Sequence, residues 1–141
     1  MNPVGLAVLV AAVLLAGGWG LWRLRTDGRM RRQSVDGSAE PVFDAATLGA
    51  PLGARATLVQ FSSAFCQPCR ATRRTLEEVA EMLDGVAHVE IDAEDHLELV
   101  RRLDIRRTPT VFVLDARGRV TSRAAGQPRK ADVVAALGVV L

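Results

Sequence analysis

Both cysteines of the chain lie in one stretch, Ser63-Ala-Phe-Cys-Gln-Pro-Cys-Arg70, with two residues between them. Thiols at C-x-x-C spacing serve three chemistries: disulfide exchange, half of a metal site, or a structural cross-link. Exchange needs one accessible thiolate to attack a disulfide and a second thiol close enough to resolve the mixed disulfide that forms. A zinc ion takes four ligands, and beyond Cys66 and Cys69 only His88 and His96 are on offer, with no second closely spaced pair. A cross-link over so short a loop would constrain the unfolded chain little, and a reducing compartment would keep it open. The elements that position the pair must decide between these.

Strand and helix signals alternate from residue 57 onward. "TLVQF" (57–61) is a β-branched and aromatic run ending in small polar residues, as a buried strand does. From Pro68 to about Leu83, Leu76, Val79, Ala80 and Leu83 recur at helical spacing, while Arg73/Glu77 and Arg74/Glu78 sit four apart on the outer face. "VAHVEI" (86–91) predicts a second strand, "DHLELVRRL" (95–103) a second helix and "TVFVL" (110–114) a third strand. Asp115-Ala-Arg-Gly118 has turn chemistry leading into "RVTSRA", a hairpin partner, and a last helix starts near Pro128. The order specifies an α/β domain with parallel and antiparallel strands in one sheet covered by helices. Cys66 then falls where a strand feeds the N-terminus of the Pro68 helix, whose unpaired amides and dipole favour a thiolate, and Cys69 lies one turn on.

The N-terminal region reads differently. Val4 to Trp22 contains no charged residue and spans roughly 28 Å as a helix, close to a bilayer's hydrocarbon thickness. Only Met1, Asn2 and Pro3 precede it, without the basic start of a secretory signal, so residues 1–22 are expected to be an anchor. Trp19 and Trp22 close the run, and Arg23, Arg25, Arg29, Arg31 and Arg32 follow. The positive-inside rule therefore puts the chain after Trp22 in the cytoplasm, as a single-pass membrane protein, with the extracytoplasmic side as the alternative. Ala12, Ala16 and Gly20 form a small-residue stripe through which two such helices would pair weakly. Residues 23–41, polar and rich in Gly, Ser and Arg, are expected to be a flexible linker, and 42–141 the domain. From Ala56 onward twelve basic and twelve acidic residues balance, which gives no electrostatic case for nucleic acid. Seventeen of the eighteen basic residues are Arg, which with the abundance of Ala points to a GC-rich bacterial genome.

Three segments in this order, "LVQFSSAFCQPCR", "IRRTPTVFVLDARGRV" and "AAGQPRKADVVAAL", resemble the thioredoxin family over about Phe43 to Leu141. The resemblance implies a thioredoxin-like mixed sheet flanked by helices and a thiol–disulfide oxidoreductase that needs no cofactor beyond its own Cys66–Cys69 disulfide. It makes Cys66 the attacking thiol, Cys69 the resolving thiol, and Thr108-Pro109 a substrate-binding loop with Pro109 in a cis peptide bond. Phe65 and Gln67 stand where the family usually has Trp and Gly, and are expected to touch substrate and set the redox poise. The family's buried Asp falls at Gln60 and its Lys partner at His88. These two are expected to be hydrogen-bonded to each other, with a proton relay through His88 as the sharper reading.

The resemblance also implies partners, protein disulfides or dithiols as substrates and a protein electron donor or acceptor, and the apolar run adds the membrane through residues 4–22. No flavin, nicotinamide or phosphate-loop motif appears, so electrons must come from another protein. Two rival functions remain. One is an adaptor on the same fold that recruits a protein to the membrane without redox turnover. The other is an outward-facing enzyme acting on exported proteins or in cytochrome maturation.

Overall fold

A computed structural model describes residues 3–32 and 42–141. The chain runs α1 (Pro3–Thr26), β1 (Arg31–Arg32), α2 (Ala45–Leu48), β2 (Ala56–Ser62), α3 (Gln67–Met82), β3 (Val86–Asp92), α4 (Leu97–Arg102), β4 (Thr110–Asp115), β5 (Val120–Ala125) and α5 (Lys130–Leu137). The five strands form one sheet in the order β1-β5-β4-β2-β3. Only β2 and β3 are parallel, joined by the α3 crossover; the other pairs are antiparallel. This is the thioredoxin-like mixed sheet with flanking helices that the sequence predicts.

β2 lies between β3 and β4 and every one of its residues is buried, which is why its sequence is mostly apolar, with Thr57, Gln60 and Ser62 as its buried polar residues. Alternate side chains feed two cores. Val59 and Phe61 join Phe43, Ile91, Leu103, Ile105 and Phe112 on the face carrying α4. Ala56 and Leu58 join Leu76, Val79, Val111, Val133 and Leu137 under α3 and α5. Phe112 is the hub of the first core, with its ring 5.8 Å from Phe61 edge-on and 5.9 Å from Phe43. The turn after β4 closes on Asp115, whose carboxylate accepts from the Arg117 and Arg119 amides. Gly118 sits there at φ +77°, with Phe43 O so close that any Cβ would overlap it.

The N-terminal helix runs four residues past the expected limit of 22, to Thr26, and is exposed from Pro3 to Arg25, Ala12, Ala16 and Gly20 included. It is long and apolar enough to cross a membrane, a test that the leader of an exported protein also passes. The start of the expected linker is not a free tether. The Gly28 amide donates to Ala125 O, Asp27 pairs with Arg107, and Arg31–Arg32 add a short edge strand to β5. An open sheet edge offers unpaired backbone groups, and this polar segment takes them up although it carries no hydrophobic period to announce a strand. The rest of the linker, residues 33–41, lies outside the described residues. α5 begins at Lys130, two residues after Pro128, with Arg129 in the extended conformation of a cap.

Removing the hub should be costly. Phe112→Ala is expected to destabilise the domain by about 3–5 kcal/mol, the usual range for emptying a buried aromatic site. Denaturant unfolding would show this as a lower midpoint at unchanged slope, and a loss under ~1 kcal/mol would contradict the packing described.

Candidate functional site

Cys66 caps the N-terminus of α3. Its backbone is extended and its sulfur accepts from the Cys69 amide at 3.2 Å. The pair is bonded, with sulfurs 2.07 Å and Cα atoms 5.2 Å apart. The two cysteines are unequal in exposure: Cys66 is partly open to solvent, whereas Cys69 is 2% exposed. When the bond is reduced, the helix start presents an amide N–H to Cys66 Sγ, which favours a thiolate there. Pro68 sits in the first helical turn, where its missing N–H has no hydrogen bond to lose.

Thr108-Pro109 comes to this helix start from the other end of the chain. Thr108 Oγ1 is 2.8 Å from Ser63 Oγ, the peptide before Pro109 is cis, and Pro109 O accepts from the Gly126 amide. Phe65 precedes the pair and Gln67 lies between the two cysteines, and both are exposed. Phe65 is fully solvent-exposed at 101%, uncommon for a large aromatic and consistent with a surface that meets another molecule.

The predicted contact between Gln60 and His88 does not form. In the parallel register His88 lies opposite Leu58, and Glu90 lies opposite Gln60. Gln60, fully buried, donates through Nε2 to Ser62 Oγ (2.8 Å) and to Cys69 O (2.9 Å). Ser62 donates to Glu90 Oε1 at 2.6 Å, and Arg73 grips the same carboxylate through Nε at 2.7 Å and a terminal nitrogen at 2.9 Å. The hydrogen-bond direction follows from charge. An ionised carboxylate only accepts, so Ser62 must spend its proton on Glu90 and accept from Gln60, which turns the amide nitrogen toward Cys69. Gln60 Oε1 and Thr72 Oγ1 are left without partners among the described residues.

Burial of the Glu90 carboxyl opposes its charge, but the Arg73 guanidinium and the Ser62 hydroxyl outweigh that and hold its pKa below the ordinary 4.5. Burial pushes the His88 imidazole below its ordinary 6.5, against the pull of Glu77 and Glu90, so the ring is neutral near pH 7. Its Nε2 is buried without a hydrogen-bond partner among the described residues. An open cavity of about 390 Å³ contains both cysteines together with Ser62, Arg73, Glu90 and Asp92, and is lined by neither His88 nor His96. Sequence reasoning missed Ser62, Ser63 and Glu90. A polar residue beside a C-x-x-C motif is a visible cue for the serines, but nothing in one sequence gives the β2/β3 register that brings Glu90 to Gln60.

The arrangement pairs a partly open sulfur held at a helix start with a buried one a single turn away, which is what dithiol–disulfide exchange requires. A family model described as Thioredoxin matches residues 43–138. Thioredoxin from Mycoplasma genitalium is 26% identical over 77 residues, 55% of this chain and 74% of that protein. Thioredoxin H2 from Arabidopsis thaliana is 29% identical over 69 residues, 49% of this chain and 51% of its own length, so the chain spans only about half of that relative. The reduced thioredoxin pre-protein of Schistosoma mansoni superposes with a TM-score of 0.54 at 21% identity, over 62% of this chain and 80% of that one, a likeness of fold.

The Glu90 network predicts a pH-dependent stability difference. A carboxyl whose folded pKa is lowered stabilises the fold above its unfolded pKa, and that contribution fades as pH falls through the folded value. Glu90→Gln should therefore be less stable than the parent at neutral pH, and the gap should close on acidification below about 4.5. Urea midpoints of both proteins at neutral and acid pH would test this, and a gap independent of pH would contradict the ion pair.

Proposed function

The chain belongs to the thioredoxin family of dithiol–disulfide oxidoreductases, and from that premise we propose that it is a membrane-tethered enzyme acting on protein disulfides, with Cys66 attacking and Cys69 resolving. The observation that carries this reading is the unequal exposure of the two sulfurs at the start of α3. In the dithiol form, Cys66 thiolate attacks a substrate disulfide. A Cys66–substrate S–S bond forms, the substrate's own S–S bond breaks, and the departing sulfur leaves as a thiolate that takes up a proton. Cys69 then loses its proton and attacks Cys66 Sγ, closing the intramolecular disulfide and releasing the second substrate sulfur. Two electrons pass from the pair to the substrate, and a protein reductant must return them. If the compartment is oxidising, the same steps run in reverse, since direction follows the difference in reduction potential.

Thr108-Pro109 is the proposed rest for the substrate chain, with Phe65 and Gln67 as its outer contacts. The Ser63–Thr108 hydrogen bond supports this by tying the loop to the residues that lead into Cys66. Tethering is assigned to α1. Arg23 and Arg25 in its last turn, followed by Arg29, Arg31 and Arg32, support an orientation with the domain in the cytoplasm.

Cys66→Ser is expected to abolish turnover of a model protein disulfide, and Cys69→Ser to accumulate the mixed disulfide on non-reducing gels. Full turnover by Cys66→Ser would sink the assignment, while no turnover by the parent chain would favour the adaptor. Orientation is tested separately: after reduction of intact cells, Cys66 should resist a membrane-impermeant thiol reagent, and ready labelling would place the domain outside.

A further inference from the structure

We propose that an arginine-lined cavity beside the end of α1 binds a phosphate group, supplied by the headgroup of an anionic lipid. The cavity, of about 560 Å³, is lined by Arg29, Arg31, Arg32, Arg106, Arg107 and Arg123, with Asp104 as its one carboxylate and Thr26 at its edge. Its charges do not cancel. Arg106 pairs with Asp104 and Arg107 with Asp27. Arg123 donates to the Leu103 and Asp104 carbonyls, both at 2.8 Å, and lies over the Phe112 ring at 5.1 Å. Among the described residues no carboxylate reaches Arg29, Arg31, Arg32 or Arg123.

The strand register adds to the mismatch. Arg31 stands directly opposite Arg123 in the β1–β5 pairing, and like charges at facing positions destabilise a strand pair. β1 is two residues long, so few ladder bonds offset that repulsion. An oxyanion between the two guanidiniums would convert the repulsion into attraction. Phosphate suits the site because guanidinium groups are weakly hydrated and bind phosphate oxygens through paired N–H donors.

The source of the phosphate follows from the position of the cavity. Thr26 is the last residue of the 24-residue α1, so the cavity opens where the apolar helix ends. If α1 spans a bilayer, as proposed above, that level is the headgroup region of the arginine-rich side, where anionic lipids attract basic side chains. Arg107 immediately precedes Thr108-Pro109, so a bound headgroup would hold the substrate-loop side of the domain toward the bilayer.

The test uses the full chain in non-ionic detergent, titrated with dihexanoyl phosphatidylglycerol, dihexanoyl phosphatidylcholine and inorganic phosphate, and read by native mass spectrometry. One phosphatidylglycerol per chain should be retained, in preference to the zwitterionic lipid. Arg29→Gln with Arg31→Gln should weaken it roughly 30-fold, the effect of two arginines near an anionic surface. The charge-matched control, Arg101→Gln with Arg117→Gln, should bind like the parent. Equal weakening in both double variants, or in neither, overturns the site. Inorganic phosphate binding as tightly as phosphatidylglycerol overturns the lipid source while supporting the phosphate chemistry. Alkaline carbonate extraction of cell membranes checks the tether independently: release of the full chain would end the membrane reading and leave the inorganic-phosphate arm to judge the cavity.

Discussion

A single buried amide ties the sheet to the cysteine pair. Gln60 lies in the middle of the interior strand β2 with no solvent access, and a polar group so placed costs free energy unless it is hydrogen-bonded. Its partners are Ser62 on its own strand and the carbonyl of Cys69 at the start of α3. The bond to Cys69 therefore fixes the first turn of the helix against β2, and with it the position of Cys66 as the cap. Glu90 and Arg73 complete the arrangement from the neighbouring strand and from the helix itself. Each link constrains the next, so the geometry of the sulfurs depends on a parallel register set far from them by apolar packing on both faces of the sheet.

A second constraint acts at the opposite edge of the sheet. The chain leaving α1 is bound to the domain by backbone and side chain at once: Gly28 to Ala125, Asp27 to Arg107, and β1 to β5. Gly28 is held at φ +71° against Gln127 O, an approach that leaves no room for a side chain. Arg107 also donates to Ala125 O, so the same guanidinium fastens the segment after α1 to the end of β5. The consequence is a short, defined connection between the end of α1 and the loop at Thr108-Pro109.

The fold was legible wherever a segment had one dominant requirement. β2, β4 and α3 announce themselves because burial on both faces or on one stripe imposes a hydrophobic pattern, and the turn at Asp115–Gly118 because its chemistry is local. What escaped depends on partners distant in the chain. β1 is two arginines whose strand character comes from the open edge of β5, and α2 is a single turn made by the Asp44 side chain accepting from the Thr47 amide. The cysteine pair and Thr108-Pro109 could be singled out from their spacing and their resemblance to a family. The pairing of Gln60 with His88 could not be judged in the same way, because equivalence of positions says nothing of which side chains touch. The register puts Glu90, not His88, across from Gln60.

That difference changes the proton chemistry open to the pair. An amide at position 60 cannot take a proton, and the half-buried His88 is tied to Gln60 by no hydrogen bond. Glu90 shares the cavity with both sulfurs, but Arg73 and Ser62 stabilise its charged form and so make it a weak base. What Glu90 contributes instead is a lasting negative charge and a fixed direction for the Gln60 amide. A resolving thiol at Cys69 would then give its proton to water in the open cavity rather than to a buried acid. An ion pair, Glu90 with Arg73, thus stands beside the sulfurs, and an uncharged amide, Gln60, beneath them.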